Sequence, residues 1–262
     1  MNGAQSLVQT LVDAGVTVCF SNPGTSEMHF VAALDDNPKM RCVLGLFEGV
    51  VSGAADGYAR MADRPAATLL HLGPGLGNAL ANLHNAKRAY TPMVNIVGDH
   101  ATYHAHFDAP LTSDVEGVAR PMSHWLCRSR YAAEVARDGA EAVRAAMTAP
   151  GQIATLVLPA DTAWNAAPGP AAPLPVPARA APQPEAIAAA VAALKSDEPC
   201  VMLMNGQALR APALTQAARI EAASGARLFH DTFVSRLTRG PGLPAPERLP
   251  YFGEQALEAL AG

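Results

Sequence analysis

Glu48 is the residue in this 262-residue chain whose surroundings best suit a carboxylate to chemistry. It lies between Leu44-Gly45-Leu46-Phe47 and Gly49-Val50-Val51, at the junction of a strand pattern and a helical one. An apolar, water-poor wall strengthens whatever single hydrogen bond such a group makes to a ligand. A purely structural reading also exists, because acids are common at helix starts, where they face the positive end of the dipole. The helix that Glu48 opens carries Gly49, Gly53 and Gly57, one per turn on one face. Each glycine inside a helix costs about 1 kcal/mol relative to alanine. Close approach of another backbone is the expected compensation.

A second feature is His71-Leu72-Gly73-Pro74-Gly75-Leu76-Gly77-Asn78. His71 at a strand end can serve as an acid or a base, or be held quietly by neighbouring backbone. The glycines that follow could cradle phosphate at a helix N-terminus. They match neither the dinucleotide fingerprint nor a Walker loop, since the third glycine and the Gly-Lys-Ser/Thr are missing. The run Asp99-His100-Ala101-Thr102-Tyr103-His104-Ala105-His106 places two histidines four apart. Without a clear helical periodicity they read better as polar loop residues than as metal ligands. No metal ligands are expected in this chain.

These residues need elements to position them. Residues 4–14 place Leu7, Val8, Leu11 and Val12 at helical spacing, and Val16 to Phe20 reads as a strand. The turn-rich Ser21-Asn22-Pro23-Gly24-Thr25 follows. A helix starts near Ser26, with Glu27 in its first turn. Further strands are expected at Val43–Phe47, Ala67–His71, Met93–Val97 and Ala154–Leu158. Nearly continuous apolar strands alternating with helices predict an α/β fold, a parallel sheet covered on both faces. Ligands then bind beyond the carboxyl ends of the strands, where the 21–25 loop, Glu48 and His71 all fall.

Residues 165–184 carry seven prolines and read as a semi-rigid linker between a first domain, 1–164, and a second α/β domain, 185–262. In the second, a helix over 185–194, a strand over 200–204, a helix near 211–223 and a strand over 226–229 are expected. It looks cut short, ending on an unfinished helical pattern over 254–260.

Half the residues are hydrophobic and 16% are charged, a globular composition. A net charge of −4 and a pI near 6.0 speak against nucleic acid and anionic membrane as partners. No apolar run reaches the ~18 residues of a membrane span, and no signal-peptide pattern opens the chain. Cys19, Cys42, Cys127 and Cys200 lack metal-ligand spacing. Cys19 and Cys42 are expected to be buried small hydrophobes, which suits a reducing cytoplasm.

Several short motifs, in order, resemble the thiamine-diphosphate-dependent enzymes that include acetolactate synthase, benzoylformate decarboxylase and pyruvate decarboxylase. They are Asn22-Pro23-Gly24-Thr25-Ser26-Glu27, the run from Glu48 to Ala55-Asp56-Gly57-Tyr58-Ala59-Arg60, Gly73-Pro74-Gly75 with Gly77-Asn78, and Ala119-Arg120-Pro121. The resemblance covers about the first 165 residues well and continues more weakly. It implies a pyrimidine-binding domain followed by part of a Rossmann-like central domain. It also implies that Glu48 hydrogen-bonds the cofactor's aminopyrimidine and so promotes activation of the thiazolium carbon. By the same resemblance His71 matches a catalytic histidine, and Thr25 matches an active-site serine of benzoylformate decarboxylase. Pro23, Gly24, Thr25, Gly73, Gly75 and Asn78 fall at cofactor-binding positions. Where the relatives commonly carry glutamine after the fourth strand, this chain has Gly98-Asp99-His100, so the substrate stays open.

The family's third domain, which holds Mg²⁺ and the diphosphate through a Gly-Asp-Gly…Asn-Asn pattern, has no counterpart in this sequence. The resemblance therefore implies a 2-oxo acid decarboxylase or carboligase, acetolactate synthase-like and apparently truncated, whose chain alone binds thiamine diphosphate weakly or not at all. Its expected partners are a 2-oxo acid and a second subunit, in a homodimer or tetramer or with a full-length paralogue. Two rivals are a non-catalytic subunit that modulates a full-length relative, and a nucleotide module. FAD is conceivable for the latter, but no phosphate loop supports it.

Overall fold

The computed structural model describes residues 1–261. The chain forms two units, Met1–Ala178 and Arg179–Gly262.

In the first unit, α1 (Gly3–Asp13) begins at Asn2, whose side chain caps Gln5 N while the Gln5 side chain caps Asn2 N. Its apolar stripe of Leu7, Val8 and Leu11 is fully buried. Then follow β1 (Val18–Asn22), α2 (Met28–Asp35), β2 (Arg41–Leu44), α3 (Glu48–Ala62), β3 (Ala66–Leu70), α4 (Leu72–Arg88) and β4 (Met93–Asp99). The rest is α5 (Val115–Ala119), β5 (Trp125–Arg128), α6 (Val135–Met147), β6 (Ile153–Pro159) and α7 (Ala160–Trp164). All six strands are parallel, in the order β2-β1-β3-β4-β6-β5.

Alternation along the strands divides the core into two layers. Ala67, Leu69, Val94, Ile96, Ala154 and Leu156 pack with α1, α2 and α6. Ala66, Leu70, Met93, Val97, Ile153 and Val157 pack with α3, α4 and α5. The second layer also holds a buried polar ladder across the sheet. Thr68 Oγ1 donates to Asn95 Oδ1 (2.8 Å), Asn95 Nδ2 to Thr155 Oγ1 (3.3 Å), and Thr155 Oγ1 lies 2.8 Å from Ser123 Oγ. Ser123 in turn donates to the Ala119 carbonyl, so no member is stranded.

The parallel sheet with helices on both faces is as the sequence indicates, with local corrections. The first two strands are displaced: β1 runs two residues further than Phe20, and β2 ends at Leu44, leaving Gly45-Leu46-Phe47 as a turn before Glu48. β2 is an edge strand, so Cys42 is exposed and only Cys19 is buried. Burial pushes the Cys19 thiol pKa well up. The short edge strand β5 was not foreseen, because Trp125-Leu126-Cys127-Arg128 offers too brief a pattern. Part of the proline-rich stretch lies against the first unit: Asn2 bridges Ala166, and Ala171 N donates to Thr10 Oγ1 (3.0 Å).

The second unit contains α8 (Pro184–Leu194), β7 (Val201–Met204), α9 (Ala211–Ser224), β8 (Arg227–His230), β9 (Glu247–Arg248) and α10 (Gly253–Ala261). Its parallel sheet has the order β7-β8-β9, and its small core holds Met204, Leu209, Leu214, Ala217 and Leu228. Among the described residues no helix is long and apolar enough to cross a membrane.

The ladder makes a clear expectation. Asn95→Leu strands the Thr68 hydroxyl, while Thr155 keeps Ser123, and costs about 1–3 kcal/mol for the group left unpaired. Leu44→Ala on the exposed edge strand changes stability by no more than about 0.5 kcal/mol. Urea unfolding of the full chain, comparing midpoints at constant slope, checks both.

Candidate active site

The strand order places one reversal of connection between β1 and β3. From β1 the chain turns toward β2, and from β3 it turns the other way, toward β4. The crevice beyond the carboxyl ends of two such strands is where open parallel sheets bind ligands. The loop after β1 (Pro23 to Glu27) and the start of α4 (His71 to Gly75) meet there. Asn22 Nδ2 ties the loop to the Gly45 carbonyl (2.7 Å), bringing the turn before Glu48 to the same edge.

Glu48 is the first residue of α3 and is 9% exposed. Its Oε2 accepts a hydrogen bond from Asn78 Nδ2 at 3.0 Å, while Oε1 takes none among the described residues. Oε1 stands beside Gly75, where a Cβ would come within 3.0 Å of it and within 3.4 Å of the His71 Cβ. Gly75 is thus the spacer between the two residues. The chain enters α4 through Leu72, which holds φ +48°. Left-handed backbone is costly for leucine and is held here by a fully buried side chain. Gly73 faces Ser113, whose Oγ would lie 1.9 Å from an added Cβ.

His71 does not rest on neighbouring backbone. Its Nδ1 lies 2.7 Å from Glu27 Oε2, and that same oxygen accepts the Gly24 N–H at 2.7 Å. Glu27 is 2% exposed. Burial pushes its pKa above the ordinary 4.5, against the opposing pull of the Gly24 N–H and the histidine. Two more glycines permit the arrangement. A Cβ on Gly24 would stand 2.3 Å from the imidazole Cε1, and one on Gly98 would stand 1.6 Å from Glu27 Oε1.

Glu27 is the functional candidate that the sequence reading left as a helix-dipole acid. The structure places it in a 3-10 turn, Thr25–Glu27, ahead of α2, with its side chain turned inward. The combination of Gly24, Glu27 and Gly98 was the available signal, but pairing residues so far apart requires the sheet. Thr25 is exposed and lines, with His100, Tyr103, His104 and Trp164, a neighbouring cavity of about 240 Å³. Pro23 faces an apolar groove with Met28, Val31 and Met40. His100 and His104 lie in a loop with ring centroids 6.0 Å apart, and the described residues contain no cluster of three metal-ligating side chains.

The glycine helix corrects another expectation. Side chains, not a second backbone, fill two of its gaps: the Phe47 ring lies against Gly49, and the Asn82 amide against Gly53. Asn82 Nδ2 also donates to the Gly49 carbonyl (2.6 Å), locking α4 to α3. Gly57 faces open space.

The architecture and the cluster at its switch point define a ligand-binding α/β domain. The first unit carries a domain of the thiamine-diphosphate-dependent enzymes: residues 1–123 match the family description "Thiamine pyrophosphate enzyme, N-terminal TPP binding domain". The chain is 60% identical over its whole length to half of IlvX of Mycobacterium tuberculosis, provisionally named an acetolactate synthase large subunit. It is 35% identical over 159 residues to benzoylformate decarboxylase of Pseudomonas aeruginosa, matching 60% of this chain and 29% of that protein. A solved structure from Mycobacterium smegmatis, provisionally described as a thiamin diphosphate-dependent enzyme, superposes on the entire chain with TM-score 0.90 at 26% identity, and half of that chain is matched. The chain spans about half the length of IlvX and of that structure.

The buried Glu27 fixes a pH dependence. A carboxyl whose folded pKa is raised contributes stability that is present below its unfolded pKa and declines as pH rises through the folded value. The melting temperature of the wild type relative to Glu27→Gln is therefore highest near pH 4.5 and below, falls as pH rises above that, and then levels. Paired thermal melts across pH 4–8 check the sign; a difference that grows with pH contradicts it.

Proposed function

We propose that this chain supplies the aminopyrimidine-binding part of a thiamine-diphosphate-dependent 2-oxo acid decarboxylase or carboligase, acetolactate synthase-like, with Glu48 as the activating carboxylate. The observation that carries the reading is Glu48 itself. It is buried at a helix start, and Asn78 orients one oxygen while the other is left without a protein partner beside Gly75. A free, oriented carboxylate oxygen fits a ring nitrogen as its partner, and Gly75 keeps a side chain away from that oxygen. Pro23, Thr25 and Asn78 complete the set that would hold the pyrimidine. When bound, thiamine diphosphate supplies a nucleophilic carbon and an electron sink for decarboxylation.

This chain's own residues orient the cofactor, exclude water and hold protons. Glu48 holds the proton shared with the pyrimidine ring, and Asn78 fixes which oxygen does so. His71, backed by Glu27, faces the same edge as a proton-handling group for the 2-oxo acid. The Mg²⁺ and diphosphate site belongs to a diphosphate-binding domain on a second subunit. Flavin has no supporting feature, and a cytoplasmic setting suits the free thiols.

A partner surface accompanies the site. Leu44, Leu46, Phe47 and Val50 flank Glu48 and are exposed, Leu46 to 92%. A contiguous apolar patch of this kind marks an interaction surface. It supports a homodimer or tetramer, and equally a non-catalytic subunit that complements a full-length paralogue.

Two experiments test these readings. In the native assembly loaded with thiamine diphosphate, Glu48→Gln slows exchange of the cofactor's C2 proton by about 10²–10⁴-fold. An unchanged rate by hydrogen–deuterium NMR removes Glu48 from the role. Leu46→Asp weakens self-association or association with the full-length paralogue, read by sedimentation velocity. Unaltered assembly places the interface elsewhere.

A further inference from the structure

We infer that Glu27 is a positioning residue that locks the His71 imidazole as its Nδ1–H tautomer and so leaves the Nε2 lone pair free for substrate. The inference rests on and deepens the reading of His71 as a proton-handling residue, and assigns a role to a residue that the sequence reading left as a helix-dipole acid.

Four observations carry it. Glu27 Oε2 accepts the Gly24 N–H at 2.7 Å, and in the ionised carboxylate both oxygens can only accept. Against the carboxylate, the His71 Nδ1 contact at 2.7 Å to the same oxygen is a donation from the ring. Once Nδ1 carries the proton of a neutral imidazole, Nε2 is an acceptor. Nε2 takes no hydrogen bond and is not among the buried unpartnered atoms, so it is open at the crevice, while the Glu27 side chain is 1% exposed.

The seat is also built sterically. Gly24 lies under the ring and Gly98 under Glu27 Oε1, and a side chain on either would dislodge the pair. The Oε1 atom has no hydrogen-bond partner and occupies the space that a Gly98 side chain would fill. A carboxyl that served stability alone would gain by having both oxygens paired. Here the fold desolvates it and spends its one fully bonded oxygen on the Gly24 loop and the imidazole together.

Long-range ¹H–¹⁵N spectra of the full chain, labelled at histidine and assigned with His71→Asn, read the tautomer directly and need no cofactor. At neutral pH the wild type shows Nδ1 protonated and Nε2 bare, in excess of about tenfold, the ratio expected for a hydrogen bond to a charged group. Glu27→Ala removes the acceptor and shifts His71 toward the Nε2–H form. Glu27→Gln, whose amide oxygen can occupy the same seat, retains the Nδ1–H form. A wild-type spectrum with Nε2 protonated overturns the inference, as does a Glu27→Ala spectrum unchanged from wild type. If Glu27→Ala does not fold, the wild-type and Glu27→Gln spectra still decide. Because the measurement is made without thiamine diphosphate, its outcome is independent of the Glu48 exchange experiment.

Discussion

The cluster exists because three glycines carry no Cβ. Gly75 separates Glu48 from His71, Gly24 lies beneath the imidazole, and Gly98 lies beneath the Glu27 carboxyl. A side chain at any of these positions would push a charged or proton-bearing group away from its partner. The constraint reaches back into the scaffold. Gly98 is part of β4, Gly24 follows β1 and Gly75 begins α4, so the spacing of the site is the spacing of adjacent parallel strands.

That dependence explains why so much of the first unit is organised around registry. A slip of one residue in β4 would exchange Gly98 for a neighbour and turn its alternating side chains to the opposite layer. The ladder from Thr68 through Asn95 to Thr155 opposes such a slip, since the Thr68 hydroxyl and the Asn95 amide would lose their partners in a dry layer. The left-handed Leu72 belongs to the same logic: the sharp transition from β3 into α4 brings His71 and Gly75 onto one edge. Strain at that residue is sustained by the packing of its side chain in the core.

Much of this was legible in the sequence. Apolar strands alternating with helical patterns gave the parallel sheet, and the resemblance in the loop at 22–27 and in α3 over 48–60 pointed to candidate residues. What escaped was of two kinds. Boundaries moved where an edge strand weakens the pattern: β2 is short and exposed, so Gly45-Leu46-Phe47 reads as strand but folds as a turn. Pairings across the sheet were invisible: Glu27 looks like any acid at a helix start until β1 and β3 lie side by side. The Gly49-Gly53-Gly57 spacing suggested a backbone neighbour, yet a phenylalanine ring and an asparagine amide fill the first two gaps. Sequence spacing shows that room is needed and not what occupies it.

The two carboxylates of the site stand in different electrostatic regimes, and the difference bears on how it works. Glu27 is desolvated by its own fold, with Gly24, His71 and Gly98 around it, and burial is the largest influence on its titration. Glu48 is sheltered on the inner side by α4, but the apolar side chains beside it, Leu44, Leu46, Phe47 and Val50, are left in water. A carboxylate gains its full electrostatic leverage only when its surroundings are dry. The first unit therefore completes the surroundings of His71 by itself and leaves those of Glu48 open on one side. In the proposed reading the covering subunit supplies the missing wall, and activation of the cofactor is coupled to assembly. The imidazole, by contrast, is held by Glu27 within the chain.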